Sequence, residues 1–144
     1  MNNIVWNTRQ SSQKDIGVIS EDFNLLPDKS VFDNLALEIQ GSNIQEDVLK
    51  TLAFVDLANY ADRFPRQLAG GEKQRLSLAR VLIHKPKVLL AVEPTYNLDD
   101  FNKDKILRLL EKIQELGIIV ILVTNNQEIA DSVKNYTVLL AHKI

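Results

Sequence analysis

The sequence predicts an α/β fold, a parallel sheet with helices on both faces, formed as one domain. Three observations carry that prediction. Short, wholly apolar runs alternate with longer stretches of helical periodicity, and strands apolar throughout suit a parallel sheet covered on both sides. A length of 144 residues fits one core, because single cores organise about 100–200 residues. Hydrophobic residues at 45% and charged residues at 25% are ordinary globular values, which sets disorder aside.

The elements follow in order. Ile16–Ser20 is a short apolar run led in by the polar stretch Asn7–Asp15. Asn43–Leu57 places Ile44, Val48, Leu52 and Val55 at helical spacing, and Asn43 with Glu46 suits a capping box. Leu76, Ala79, Leu82 and Ile83 make a second stripe after the Gly70–Gly71 pair. Pro86 ends that helix, and Val88–Val92 reads as a buried strand. A third stripe (Ile106, Leu109, Leu110, Ile113, Leu116) closes on Gly117 in the C′ position. Ile118–Val123 is another strand, followed by a short helix near Gln127–Val133 and a last strand at Tyr136–Leu140.

Composition removes several function classes. Seventeen Lys and Arg against 19 Asp and Glu give a net charge of −2, so the whole chain has no pull toward nucleic acid or acidic membranes. The absence of cysteine excludes disulfides and thiolate chemistry and suits a reducing compartment. The run Gly117–Val123 falls far short of the roughly 20 residues of a membrane span. The first residues lack the basic and apolar stretches of a signal peptide, so a soluble, intracellular protein is expected. His84 and His142 lie far apart with no metal-ligand spacing, and Ser30 and Ser77 have no nucleophile elbow, so no metal site is expected.

Three stretches carry more. Ile16-Gly-Val-Ile-Ser-Glu-Asp-Phe-Asn-Leu-Leu-Pro-Asp28 runs on through Ser30-Val-Phe-Asp-Asn-Leu35. Phe64-Pro-Arg-Gln-Leu-Ala-Gly-Gly-Glu-Lys-Gln-Arg75 continues to Ala79-Arg80, and Lys87-Val-Leu-Leu-Ala-Val-Glu-Pro-Thr-Tyr-Asn-Leu-Asp99 follows. In this order they resemble the Q-loop, the signature, and the Walker B and D-loop of ABC-transporter ATPases. The Leu-Leu-Pro run is most similar to the cell-division FtsE branch and its lipoprotein-release and macrolide-exporter relatives. The resemblance implies a RecA-like P-loop NTPase sheet of ABC type, with a helical signature segment over about residues 28–80 of a single 1–144 domain. It implies ATP and Mg²⁺ as ligands, a second ATPase domain and an ABC membrane subunit as partners, and a cytoplasmic place at the inner face of the membrane. A groove beside the Q-loop would take a helix of that membrane subunit against Phe23, Leu25, Leu26 and Val31.

A glycine-rich turn opening a helix presents backbone N–H groups to an anion. Ala69, Gly70, Gly71 and Glu72 form that turn here, in a stretch from Asp62 to Lys87 with seven Lys or Arg and two Asp or Glu. The chemical positions depart from the family. No two of the five glycines have the spacing of the P-loop pattern G-x-x-x-x-G-K-[ST], so that element is expected to be missing. Glu21 replaces the Q-loop glutamine, Ala69 the signature serine, Val92 the Walker B aspartate, Tyr96 a glycine, and Asn125 the switch histidine. Glu93 matches the general base and Asp99 the D-loop aspartate.

These substitutions predict a degenerate ATPase subunit that does not hydrolyse ATP alone and serves as a structural or regulatory partner. The alternative is an ATP-hydrolysing component whose P-loop comes from another polypeptide or was lost by truncation. One structural consequence follows from the resemblance, which places the P-loop strand between Ile118–Val123 and Tyr136–Leu140. Without it those two strands pair directly, or a partner strand fills the slot, because unpaired buried backbone is costly. Asn3–Trp6 would match only a peripheral strand.

Overall fold

The computed structural model describes residues 15–133 and the backbone of 137–140; Trp6 and His142 lie outside these residues. The sheet has four parallel strands in sequence order: β1 (Ile16–Ile19), β2 (Val88–Val92), β3 (Ile119–Thr124) and β4 (Thr137–Leu140). Val18, Leu90, Ile121 and Thr137 share one row across it. The two strands expected to flank a P-loop strand therefore pair directly, Ile121 with Thr137 through Thr124 with Leu140. Among the described residues the α-helices are α1 (Val31–Ala36), α2 (Ile44–Phe54), α3 (Gly70–Leu82), α4 (Asp100–Glu115) and α5 (Gln127–Ser132), with 3-10 turns at Ala58–Tyr60 and Pro65–Gln67.

Connectivity decides which face of the sheet is covered. Every crossover steps one strand in the same direction, and right-handed crossovers of that kind put their helices on one side. The core lies on that side: Ile19, Leu89, Ala91, Val120 and Leu122 from the sheet pack with Leu76, Leu78, Ile106, Leu110 and Ile113 from α3 and α4. Gly17 sits in the same row set because a Cβ there would come within 2.0 Å of Val81 on α3. The opposite face carries Ile16, Val18, Leu90, Ile121 and Ile119, of which Val18 and Ile119 are more than half exposed at 55% and 58%. The α/β class and the parallel sheet are as expected. Helices cover one face rather than two among the described residues.

Local chemistry explains the helix ends. Ser30 caps α1 by accepting from Asp33 N–H at 3.0 Å, and Asp99 caps α4 by accepting from Asn102 N–H at 2.8 Å. The Asn43–Glu46 box does not form, since Asn43 makes no side-chain cap bond and Glu46 pairs with Lys50 at 2.7 Å. After α3, Lys85 takes a left-handed φ of 51° ahead of Pro86. Arg75, only 6% exposed, ties α3 to the end of α2 through the Val55 and Asp56 carbonyls at 3.2 and 3.1 Å. Lys105 of α4 reaches the same Asp56 carboxylate at 2.9 Å.

Candidate functional site

Parallel strands end together, so the loops after β1, β2 and β3 gather at one edge of the sheet, the usual place for ligands in α/β folds. Glu93 follows β2 directly, with a left-handed φ of 46°, and its N–H donates to the Val123 carbonyl at 2.7 Å. Its carboxylate accepts from the Asn125 N–H at 2.6 Å and from the Thr124 hydroxyl at 3.2 Å. Thr124 is 1% exposed, and its oxygen also accepts from Asn126 N–H at 3.0 Å. Glu93 and Asn125, singled out separately in the sequence, are thus in contact, through the asparagine's backbone rather than its side chain. Val92 ends β2 half-buried in register with Val123, and its isopropyl group offers no lone pair to a metal.

A second grouping forms at the glycine turn. Ala69 N–H donates to Glu72 Oε1 at 2.8 Å, so the glutamate closes half of a capping box while alanine supplies no return acceptor. Gly70 is exposed and lies against Leu98, whereas Gly71 is buried beneath α4. A Cβ on Gly71 would stand 2.2 Å from Asn102 Oδ1. Asn102 is held by Asp99, whose Oδ1 also accepts from its side-chain amide at 3.0 Å. The turn and Asp99 are therefore neighbours through Asn102, and Asp99 acts locally as a helix cap.

Gln74, not anticipated from the sequence, joins these regions. It is 1% exposed and donates from Nε2 to the Pro94 carbonyl at 2.8 Å and the Ser20 carbonyl at 3.4 Å. The residues flanking Glu93 and Glu21 are thereby tied to one helix, while Glu21 itself is exposed. The loop after Glu21 is organised by Asn34, fully buried on α1. Asn34 accepts from Leu26 N–H at 2.9 Å and donates to the Leu26, Lys29 and Ser30 carbonyls at 2.9–3.1 Å. Of the four residues expected to line a helix groove, Val31 is buried in the core, Leu25 packs on it, and Leu26 is exposed. Phe23 lines a cavity of about 580 Å³ beside β1 and α3.

Glu38, Arg80 and His84 form the polar wall of that cavity. Arg80 donates to the Glu38 carboxylate and the Asn24 carbonyl, and His84 Nε2 lies 2.9 Å from Glu38 Oε2. Burial pushes the Glu38 carboxyl upward, but its bonds to His84 and Arg80 outweigh that and hold it below its ordinary value of 4.5. A lowered folded-state pKa means stability that is present above pH 4.5 and lost as pH falls through the folded value. The Tm difference between the parent chain and Glu38→Gln is expected to shrink as pH drops from roughly 6 to 3. A difference constant across that window would show that Glu38 carries no net ionic contribution.

Comparison with known proteins settles the family. A sequence profile described as ABC transporter matches residues 1–96, two-thirds of the chain. The chain belongs to the ABC transporter family. Among curated ABC relatives it is 41% identical over 133 residues to the cell division ATP-binding protein FtsE of Bacillus subtilis. It is 37% identical over 133 residues to FtsE of Streptococcus pneumoniae, a match covering 89% of this chain and 58% of the relative. Methionine import ATP-binding protein MetN 1 of Burkholderia pseudomallei is 44% identical over 130 residues, covering 86% of this chain and 38% of that one. The chain therefore spans little more than half the length of its FtsE relatives.

Solved ABC cassettes have the same architecture. The ATP-binding cassette MJ0796, in a dimeric post-hydrolysis state bound to ADP and Pi, aligns with a TM-score of 0.70 and 32% identity over 81% of this chain and 55% of its own. The cbiO1 subunit of Clostridium perfringens, part of the ABC transporter complex cbiONQ, aligns with a TM-score of 0.70 and 30% identity, covering 76% of this chain and 46% of its own. Among the described residues no helix is long and apolar enough to cross a membrane. The family's Mg²⁺ does not fit the residues at this edge. Val92 has no donor atom, and no group of three metal-ligating side chains occurs among the described residues.

Proposed function

We propose that this chain is an FtsE-like ABC ATP-binding subunit with degenerate chemistry, one that acts as a structural or regulatory partner and does not hydrolyse ATP alone. The observation that carries this reading is the Glu93 carboxylate, spent on Thr124 and Asn125 beside Val92 instead of facing an acidic metal ligand. Losing a single transition-state contact commonly costs about 2.7–4 kcal/mol. Here the Val92, Asn125 and Ala69 positions depart together, so turnover is not expected.

What this chain's own residues still do is hold shape. Gln74 keeps the Glu93 and Glu21 segments on α3, and Ala69 and Gly70 stay exposed at the outer edge of the turn while Gly71 is buried. Such a domain, with its helical segment over about residues 28–80, could offer that turn to the nucleotide of a complete ATPase domain. On this reading a membrane subunit meets it at the cavity lined by Phe23, and the protein works in the cytoplasm at the inner face of the membrane. The dimeric state named for MJ0796 and the complex named for cbiO1 support both kinds of partner.

The test is a calorimetric titration of the 144-residue chain with ATP and Mg²⁺ alongside a thermal melt. No saturable heat and an unchanged Tm are expected. A ligand at 100 times its Kd would raise stability by about 2.7 kcal/mol, so even weak binding is visible. Saturable binding, or hydrolysis appearing with an added P-loop polypeptide and vanishing in Glu93→Gln, would replace this reading with that of an ATPase component completed in trans.

A further inference from the structure

At the end of the sheet away from Glu93 lies a second cavity, of about 610 Å³, which the proposed function does not use. Its floor is apolar, with Phe54 from α2, Leu82 from α3 and Ile118 leading into β3. Leu116 and Ile119 stand at its margin, 62% and 58% exposed. Three cations line it as well: Lys50, Lys85 and Lys87, with no Asp or Glu among the described lining residues. In a chain of net charge −2, that is a local reversal of sign.

The three lysines differ. Lys50 is already paired with Glu46 one helical turn away. The ammonium groups of Lys85 and Lys87 have no ion-pair partner among the described residues, and both sit on rigid backbone. Lys85 is pinned by its left-handed φ before Pro86, and Lys87 is held by N–H donation to the Asp15 carbonyl at 2.8 Å and acceptance from Ile119 N–H at 3.0 Å. Two exposed cations on well-held backbone beside a small apolar hollow complement a molecule that is anionic at one end and apolar along the rest. The volume lies in the range of small-ligand sites, about 300–1,000 Å³, whereas a docking protein would need about 800 Å² of surface on this side alone.

We infer that this cavity binds a single-chain anionic amphiphile of the fatty-acid type, its carboxylate at Lys85 and Lys87 and its chain against Phe54, Leu82 and Ile118. The site is separate from the Glu93 edge and stands whether or not the chain binds nucleotide. Lys85 also follows the C-terminus of α3, where a cation favours the helix dipole, so the experiment reads binding and stability separately.

Sodium dodecanoate, kept below its micelle threshold, is titrated into the ¹⁵N-labelled chain, with dodecyltrimethylammonium, dodecanol and inorganic phosphate as parallel probes. Saturable shifts confined to the amides of residues 82–85, 87, 88 and 116–119 are expected with dodecanoate, and none with phosphate. In the Lys85→Gln/Lys87→Gln variant the Kd should weaken at least tenfold while the parent's spectrum and fold are kept. Equal affinity for the cationic or the neutral chain would overturn the proposal. So would an unchanged Kd in the variant, or shifts centred on Val18, Leu90 and Ile121, which would report adhesion to the open sheet face. Should the double variant fail to fold, Phe54→Ser in the apolar floor gives the same reading, and an unaltered Kd there would also sink it.

Discussion

Asn34→Leu is expected to lower the free energy of unfolding by about 2–4 kcal/mol. Leucine keeps the same branched four-atom skeleton but carries two bulkier methyl groups, so a share of overpacking adds to the loss of hydrogen bonds. Asn34 is fully buried and uses both ends of its amide, accepting from Leu26 N–H and donating to three carbonyls of the Leu26–Ser30 turn. Each buried group left without a partner costs about 1–3 kcal/mol, and the turn must open to find water. Denaturant unfolding of the parent and variant measures the difference, and hydrogen exchange should show the 25–30 amides losing protection first. Asn34→Asp is expected to do at least as much damage, because it keeps the acceptor and sets a carboxylate against three carbonyls. A loss below about 0.5 kcal/mol in Asn34→Leu would mean that the turn is held by Val31 and Leu25 packing instead.

The consequence reaches the Q-loop position. Glu21 is exposed and its side chain has no hydrogen bond or ion pair among the described residues, and what orders the chain beyond it is Asn34 on one side and Arg80, gripping the Asn24 carbonyl, on the other. Any surface this segment offers to a partner is therefore set by two polar side chains, Asn34 buried and Arg80 half-buried, that act through backbone carbonyls.

Much of the fold was legible because two periods differ: runs of 3.6 marked α2, α3 and α4, and short apolar runs marked β1, β2 and β3. The direct pairing of β3 with β4 is one of the two outcomes that the resemblance, together with the cost of unpaired backbone, allowed. One-sided coverage of the sheet did not, since the composition of Leu90 or Ile121 reports an apolar residue without saying which helices the crossovers bring to it. The return half of the Asn43–Glu46 box is lost because the Glu46 carboxylate pairs with Lys50 one turn on, a competition that spacing alone cannot rank. Glu93 and Asn125 were each visible as motif positions, but their contact depends on two strand ends lying side by side. Asn34 and Gln74 carried a weaker signal, a polar residue on an otherwise apolar helix face, which reads equally as a solvent-facing side chain until the packing is known.

Gly71→Ala shows how narrow the glycine turn is. In an unhindered helix the change would stabilise by up to about 1 kcal/mol, as alanine restricts the unfolded chain. At this site a Cβ would stand 2.2 Å from Asn102 Oδ1, 2.5 Å from its Cγ and 3.0 Å from its Cβ. The Asn102 side chain must leave its rotamer and give up its bond to Asp99, or α3 and α4 must separate. We expect a net cost of about 1–3 kcal/mol, the usual range for overpacking. Gly70→Ala, with only Leu98 at 3.6 Å, should be close to neutral by comparison. The decisive measurement is a double-mutant cycle. In an Asn102→Ala background the penalty of Gly71→Ala should fall by at least about 1 kcal/mol, because two of the three close atoms are gone. An unchanged penalty would mean that the glycine is required by its own backbone and not by its neighbour. A reduced one makes the Gly71–Asn102 contact the joint that fixes the turn against Asp99, so the spacing between the two motifs is set by a packing contact and not by a ligand.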